Sequence, residues 1–259
     1  MPELADKVVL VTGASSGIGA ATAREFARKG ALAALFARRK DRLEAVADEI
    51  RREGGKAMVC VGDVTDPAAV QAAVERVLGE WKRLDLLVNN AGCGMVAPFE
   101  AVTAQELRDL LEVNLIGALT LTQAVLPVMR RQASGHIINV SSVAGRRASR
   151  LTSAYNATKF ALVGMSEALR QELRDSGIHV SIVYPIDTKS EFHDVELKKV
   201  ERPRSGPVQT AAIVARAIVR CARRPRPEVY PYPPARLLAV LSALAPSLAD
   251  WLMDRILHR

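Results

Sequence analysis

Six times between Lys7 and Tyr184 a short apolar run gives way to a polar stretch with helical spacing, and this alternation limits the fold more than any other feature of the chain. The runs are Lys7 to Val11, Ala31 to Ala37, Lys56 to Val61, Asp85 to Val88, His136 to Val140 and His179 to Tyr184. Strands that alternate with helices in this way predict an α/β domain built on a parallel sheet. Hydrophobic residues make up 49% of the chain and aromatics only 4%, so the core must be mostly Ala, Val, Leu and Ile, which suits helices laid on such a sheet. A length of 259 residues predicts one large domain.

The first strand ends in Thr12-Gly13-Ala14-Ser15-Ser16-Gly17-Ile18-Gly19, with a helix predicted from about Ala20 to Arg28. Gly13 permits a tight turn, Gly17 lets the backbone approach a pyrophosphate, and Gly19 lets helix and strand pack closely. The helix N-terminus adds free N–H groups and the positive end of a dipole. The glycines could be turn formers alone, but a strand before and a helix after favour a phosphate cradle. The expected fold is therefore a Rossmann-like, doubly wound parallel sheet of about seven strands with helices on both faces.

After the second strand come Arg38, Arg39 and Lys40, then a helix from about Arg42 to Arg52 with Asp41 and Glu44 spaced as a capping box. In a dinucleotide fold an acid at this strand end accepts a ribose 2′-hydroxyl, whereas arginine suits a 2′-phosphate. Three cations also oppose the helix dipole, so the pattern favours a phosphate over simple solubility. Asp63, after the third strand, lies where an adenine amino group could be met. Asp66 and Pro67 read as N-cap and first-turn proline of the next helix, which ends near Trp81. Thr103 and Glu106 predict a second capping box, opening one long helix through Asn114 to about Arg131, with a bend at Pro127. Ligands of such sheets bind outside the carboxyl ends of the strands. Gly13, Arg38, Asp63, Asn90, Ser142 and Pro185 all fall at those ends, and so are expected to line one site.

The fifth strand delivers Ser141 and Ser142 to its carboxyl end, and Tyr155 opens a long helical pattern in which Lys159 follows four residues later. That spacing puts phenol and ammonium on one helix face. A cation there favours phenolate, so the Tyr155 pKa is expected below its ordinary value of about 10. A Tyr and a Lys at this spacing can equally be a packed ring beside a solvated charge. The surrounding motifs favour catalysis.

Other chemistries find no support in the sequence. Cys60, Cys93 and Cys221 are an odd number without Cys-x-x-Cys spacing, and the four histidines (His136, His179, His193, His258) have no metal-ligand spacing. Lys7 leads straight into a strand, with no leader pattern before it, so a reducing cytoplasm is the expected compartment. The formal charge of +8 is dispersed in pairs such as Arg51 and Arg52 or Arg130 and Arg131. No aromatic residues interleave with them, so no nucleic-acid partner is expected.

From about residue 5 to 190 the chain resembles the short-chain dehydrogenase/reductase family of the compact single-domain type. Thr-Gly-x-x-x-Gly-x-Gly at 12 to 19, Asn-Asn-Ala-Gly at 89 to 92, Asn114, the Ser141–Ser142 pair and Tyr-x-x-x-Lys at 155 to 159 carry the resemblance. It implies hydride transfer between an alcohol and a carbonyl, with a nicotinamide cofactor supplying the hydride chemistry. Tyr155 would be the general acid in reduction and base in oxidation. Lys159 would lower its pKa and hold the nicotinamide ribose, Ser142 would polarise the substrate oxygen, and Asn114 would fix a water joining Lys159 to solvent. Ser141 would be structural. Gly13, Ser15, Ser16, Gly17, Ile18, Gly19, Arg38, Arg39, Asp63, Val64, Asn90, Ala91, Gly92, Tyr155, Lys159, Pro185 and Thr188 would meet the cofactor, expected to be NADP(H) in preference to NAD(H).

Two departures from the family pattern stand out. Ile186 replaces the glycine that usually follows Pro185, adding bulk beside the nicotinamide. The chain also continues past Tyr230 into a helical extension at 235 to 257, split by Pro246, where thioester reductases of the family often end in a strand and a glycine-rich tail. Residues 191 to 207 are charged and proline-punctuated, suggesting a mobile substrate loop. The leading expectation is an NADP-dependent oxidoreductase of a small or lipophilic carbonyl or alcohol. A 3-oxoacyl-thioester reductase, with Arg146, Arg147 and Arg150 receiving an acidic carrier, is the alternative within the family. A non-catalytic dinucleotide sensor is the alternative outside enzymology. The extension is too interrupted to span a bilayer. It is expected to cover the substrate site or join subunits of a homo-oligomer, a dimer or tetramer, with peripheral membrane contact as the remaining reading.

Overall fold

The structure is a computed structural model that describes residues 4–194, 196–201 and 206–257. His258, and positions 195 and 202–205 of the expected substrate loop, lie outside the described residues. The chain runs β1 (Val8–Thr12), α1 (Gly17–Ala27), β2 (Leu32–Ala37), α2 (Lys40–Arg52), β3 (Lys56–Val61), α3 (Pro67–Trp81), β4 (Leu86–Asn89) and β5 (Met95–Val96). It continues through α4 (Ala104–Leu111), α5 (Gly117–Gln132), β6 (Gly135–Val140), α6 (Ser153–Glu172), β7 (Ile178–Val183), β8 (Thr188–Lys189), β9 (Leu197–Lys198) and β10 (Gln209–Thr210). The last elements are α7 (Ala211–Arg223), β11 (Glu228–Val229), α8 (Pro234–Leu244) and α9 (Pro246–Leu257).

Seven strands form one parallel sheet in the order β11-β7-β6-β4-β1-β2-β3. Strand order reverses beside β1: the chain adds β2 and β3 on one side and β4, β6 and β7 on the other. That reversal opens a crevice at the carboxyl ends of β1 and β4. Because helices cover both faces, successive residues of β1 and of β2 beyond Leu32 are buried whichever way they point. Val9, Val11, Phe26, Leu35 and Ile50 pack under α1 and α2. On the other face Leu10, Phe36, Val74, Leu121 and Met129 pack under α3 and α5. Truncating a fully buried member such as Leu10 to Ala would cost about 2–5 kcal/mol.

Local signals explain most element ends. Asp66 caps α3 through the Ala68 N–H, with Pro67 in its first turn. Thr103 and Glu106 form the predicted box at the start of α4. One expectation fails. The box of Asp41 and Glu44 does not form, because α2 starts at Lys40 with Arg39 as its N-cap and Asp41 inside its first turn. The long helix predicted from Thr103 through Asn114 to about Arg131 does form, as one continuous helical run from Ala104 to Gln132 with a π turn at Glu112–Ile116 joining α4 to α5 and Pro127 inside α5. Among the described residues, the single helical run long and apolar enough to cross a membrane is Ala104–Gln132, and its Leu121, Val125 and Met129 belong to the protein core.

Beyond β11 the extension splits at Pro246, as its sequence predicts, but α8 buries none of its residues and Leu237, Leu244 and Trp251 stay exposed. Arg147 ties it to the domain by pairing with Asp250.

Candidate active site

The glycine turn between β1 and α1 is held by hydroxyl and amide groups of neighbouring strands. Thr12 Oγ1 accepts the N–H groups of Asn90 and Ala91, both at 2.9 Å, and Asn90 Nδ2 donates to the Thr12 carbonyl at 3.0 Å. Residues after β4 thus brace the turn after β1. Gly19 has no space for a side chain: a Cβ there would run into the Gly13 carbonyl and stand 2.6 Å from Asn90 Nδ2. Gly17 has φ +54° and lies under Ser190, 3.1 Å from where its own Cβ would be. Ser16 is the N-cap of α1, yet its side chain makes no capping bond, and the first turn holds no acid. The amide donors of that turn and its dipole therefore face the crevice uncapped, which fits a dinucleotide pyrophosphate.

At the end of β2 the two arginines take different partners. Arg38 is exposed, with Nη1 3.5 Å from Asp63 Oδ2. Arg39 reaches back over the glycine turn, donating from Nη2 to Ser15 Oγ at 3.1 Å and Ser16 Oγ at 2.8 Å, and from Nη1 to Glu191 at 3.1 Å. A guanidinium fork beside serine hydroxyls at a helix N-terminus suits a phosphate group.

Beyond β6, Ser142 and Tyr155 both line the cavity, close enough for the serine hydroxyl to favour the phenolate, and Ser142 Oγ accepts the Ala144 N–H at 3.1 Å. Ser141 instead faces inward and donates to the Lys159 carbonyl at 3.2 Å. One turn along α6 from Tyr155, buried Lys159 donates from Nζ to the Val140 carbonyl at 3.2 Å and lies 5.8 Å from the Tyr155 ring centre. Asn114 sits in the π turn. Its Oδ1 accepts the Cys93 N–H at 2.8 Å, while its Nδ2 donates to the Cys93 carbonyl and to Thr158 Oγ1. A π turn widens the helix locally and is frequent at functional sites; here it seats the amide that fixes the chain after β4.

The pKa of Tyr155 runs opposite to the sequence expectation. Burial pushes the phenol up to about 12, the nearby Ser142 hydroxyl offsets part of this, and the Glu196 carboxylate adds to the rise. Burial likewise pushes Lys159 down to about 8. Desolvation disfavours both charged forms, so the arrangement holds a neutral phenol beside an ammonium that sheds its proton near pH 8. A neutral phenol in this setting can donate a proton to an oxygen between it and Ser142.

A cavity of about 710 Å³ joins these groups. It is bordered by every expected cofactor residue except Gly19, and by Ser142. Gly19 packs beneath the turn, and Asn114 acts from behind through Cys93. Ile186 borders the cavity too, its carbonyl accepting the Thr188 hydroxyl at 2.8 Å. Cys93, Phe192 and Glu196 were not foreseen. Phe192 packs against Tyr155 with ring centres 6.0 Å apart, and β9 pairs with β5, which holds Leu197 and Lys198 beside the chain that follows β4. Among the described residues none from α8 or α9 borders the cavity, so the expected cover over the substrate site is not formed by the extension within one chain. Arg146 is engaged by Glu167 and Glu228, and Arg147 by Asp250. Those two arginines are committed to the protein's own carboxylates rather than offered to an acidic carrier.

Comparison with known proteins gives a consistent picture. The family profile described as short chain dehydrogenase matches residues 7–200. The chain is 31% identical to ketoacyl reductase HetN of a Nostoc species over 229 residues, 88% of this chain and 79% of that protein. Its structure superimposes on a short-chain dehydrogenase/reductase from Burkholderia phymatum in complex with NAD, with a TM-score of 0.87, 26% identity and 96% of each chain covered. A metagenomic short-chain oxidoreductase in complex with NADP matches with a TM-score of 0.76 and 33% identity, covering 88% of this chain and 98% of that one.

Proposed function

The chain belongs to the short-chain dehydrogenase/reductase family and is an NAD(P)-dependent oxidoreductase, and from that premise we propose that it uses NADP(H) to interconvert a carbonyl and an alcohol on a small or lipophilic substrate. The observation that carries the reading is the placement of the Ser142–Tyr155 pair and buried Lys159 in one cavity with the glycine turn and the arginines after β2. When bound, the nicotinamide supplies the hydride. Tyr155 donates its phenolic proton to the substrate oxygen in reduction and recovers it in oxidation. Ser142 orients that oxygen by hydrogen bonding, and the Lys159 ammonium stabilises the phenolate that proton donation leaves. Asn114 positions the Cys93 backbone behind Lys159. Val96, Val143, Ala144, Ile186 and Phe192 give the substrate side its apolar lining, which supports a lipophilic substrate.

Arg38 and Arg39 support NADP(H) over NAD(H), since paired guanidinium donors select a phosphate over a hydroxyl. Likeness to a protein named ketoacyl reductase favours a 3-oxoacyl thioester as the second reading. The engagement of Arg146 and Arg147 by internal carboxylates weighs against it. The deciding experiment follows NADPH oxidation against ketones, aldehydes and 3-oxoacyl thioesters of increasing chain length. Turnover of free lipophilic ketones or aldehydes is expected. Activity confined to carrier-linked thioesters would replace this reading with the second, and NADPH oxidation with no substrate class would leave a binding protein.

A further inference from the structure

Three consecutive residues after β8 touch three parts of the site. Ser190 packs on Gly17 of the glycine turn. Glu191 pairs with Arg39 at 3.1 Å and with Arg42 at 3.5 Å. Phe192 packs against the Tyr155 ring. Arg39 is thereby shared between the glycine turn, through Ser15 and Ser16, and the segment lying over the substrate side. Its remaining nitrogen faces a carboxylate of the protein's own.

We propose that Glu191 is a specificity-determining residue that competes with the cofactor's 2′-phosphate for Arg39, and so links the choice of cofactor to the position of Phe192 over Tyr155. The inference rests on the dinucleotide site assigned above. An anion reaching Arg39 takes the charge-assisted bonds that Glu191 holds, whereas a 2′-hydroxyl leaves them in place. Both partners are substantially exposed, at 44% for Arg39 and 38% for Glu191. The competition is therefore on the scale of a surface ion pair, and removing it should change affinity about three- to fivefold.

Dissociation constants for NADPH and NADH, measured by titration calorimetry on the full chain, test this. In Glu191→Gln, NADPH should bind about three- to fivefold tighter while NADH changes less than about twofold. In an Arg39→Gln background the same change at 191 should no longer alter NADPH affinity. Amide exchange across Glu191–Asp194 should differ between the NADPH and NADH complexes of the wild type and not between those of Glu191→Gln. An unchanged ratio of the two constants in Glu191→Gln, or equal gains for both cofactors, overturns the competition while leaving the dinucleotide site intact. Failure of the wild type to bind either cofactor overturns both.

Discussion

The two ends of the parallel sheet treat buried charge in opposite ways. At the amino end, Asp85 accepts Arg83 at 2.6 and 2.8 Å, Lys7 at 3.2 Å and the Val8 N–H at 2.9 Å. Burial opposes its charge, yet Arg83, Val8 and Lys7 together hold the carboxyl below its ordinary range. His136, at the same end, solves the problem by staying neutral. Ser181 Oγ donates to the Arg226 carbonyl and receives His136 Nε2–H at 2.8 Å, which leaves His136 Nδ1 buried without a partner. At the carboxyl end, Lys159 keeps an ammonium that donates to the Val140 carbonyl and that no carboxylate pairs with among the described residues. The amino end is built for stability; the carboxyl end gives stability up to hold a cation beside a phenol.

The largest effect expected from this contrast is at Lys159. Its folded pKa of about 8 lies below the ordinary 10.5. Below pH 8 both folded and unfolded states carry the proton, and the folded state bears the full desolvation cost. Between pH 8 and 10.5 the unfolded state binds more protons, so stability rises with pH. Lys159→Met should therefore raise stability at pH 7 by up to about 3 kcal/mol in urea titration while lowering turnover by about 10²- to 10⁴-fold. A less stable variant would break the contrast.

Asp85→Asn should do the reverse, lowering stability by about 1–3 kcal/mol, because three donors lose a charged acceptor. Half-exposed Arg83 and partly exposed Lys7 can recover water, which keeps the loss from being larger. Cofactor affinity should not change, and a large change would show that the ends are coupled.

A smaller effect belongs to His136. Burial and the neighbouring His179 push its pKa down to about 3 from 6.5. Its contribution is fully present above pH 6.5 and is lost as pH falls toward 3, since the unfolded state protonates first. At pH 5 the loss should be about 2 kcal/mol, visible as a falling melting temperature that His136→Gln flattens.

Much of this was legible in the residues. Strand positions followed from apolar runs between helical stretches, and the Thr103 and Asp66 caps from short-range chemistry. Tyr155 and Lys159 needed only helical spacing to be placed together. What local sequence could not carry was long-range or dielectric. Nothing around Asn114 signals a π turn, whose reason is the Cys93 backbone 21 residues away. The box at Asp41 failed because the helix began two residues earlier than Arg42, at Lys40, with Arg39 drawn to Ser15, Ser16 and Glu191. Spacing gave the Tyr155–Lys159 pair its geometry but not its burial, and burial decided the direction of the phenol's shift. Phe192 reached the site through contacts remote in sequence: Ser190 on Gly17, Glu191 with Arg39, and the pairing of two-residue strands about a hundred positions apart.

The most direct test of the carboxyl-end assignment is Tyr155→Phe, with NADPH affinity and substrate turnover measured on the same preparation. The phenyl ring preserves the packing against Phe192 and removes only the phenolic hydroxyl. Turnover should fall by about 10²- to 10⁴-fold, the scale of a lost general acid, with the NADPH dissociation constant within about threefold of wild type, less than 1 kcal/mol. Near wild-type turnover in this variant, with NADPH still bound, would contradict Tyr155 as the proton donor.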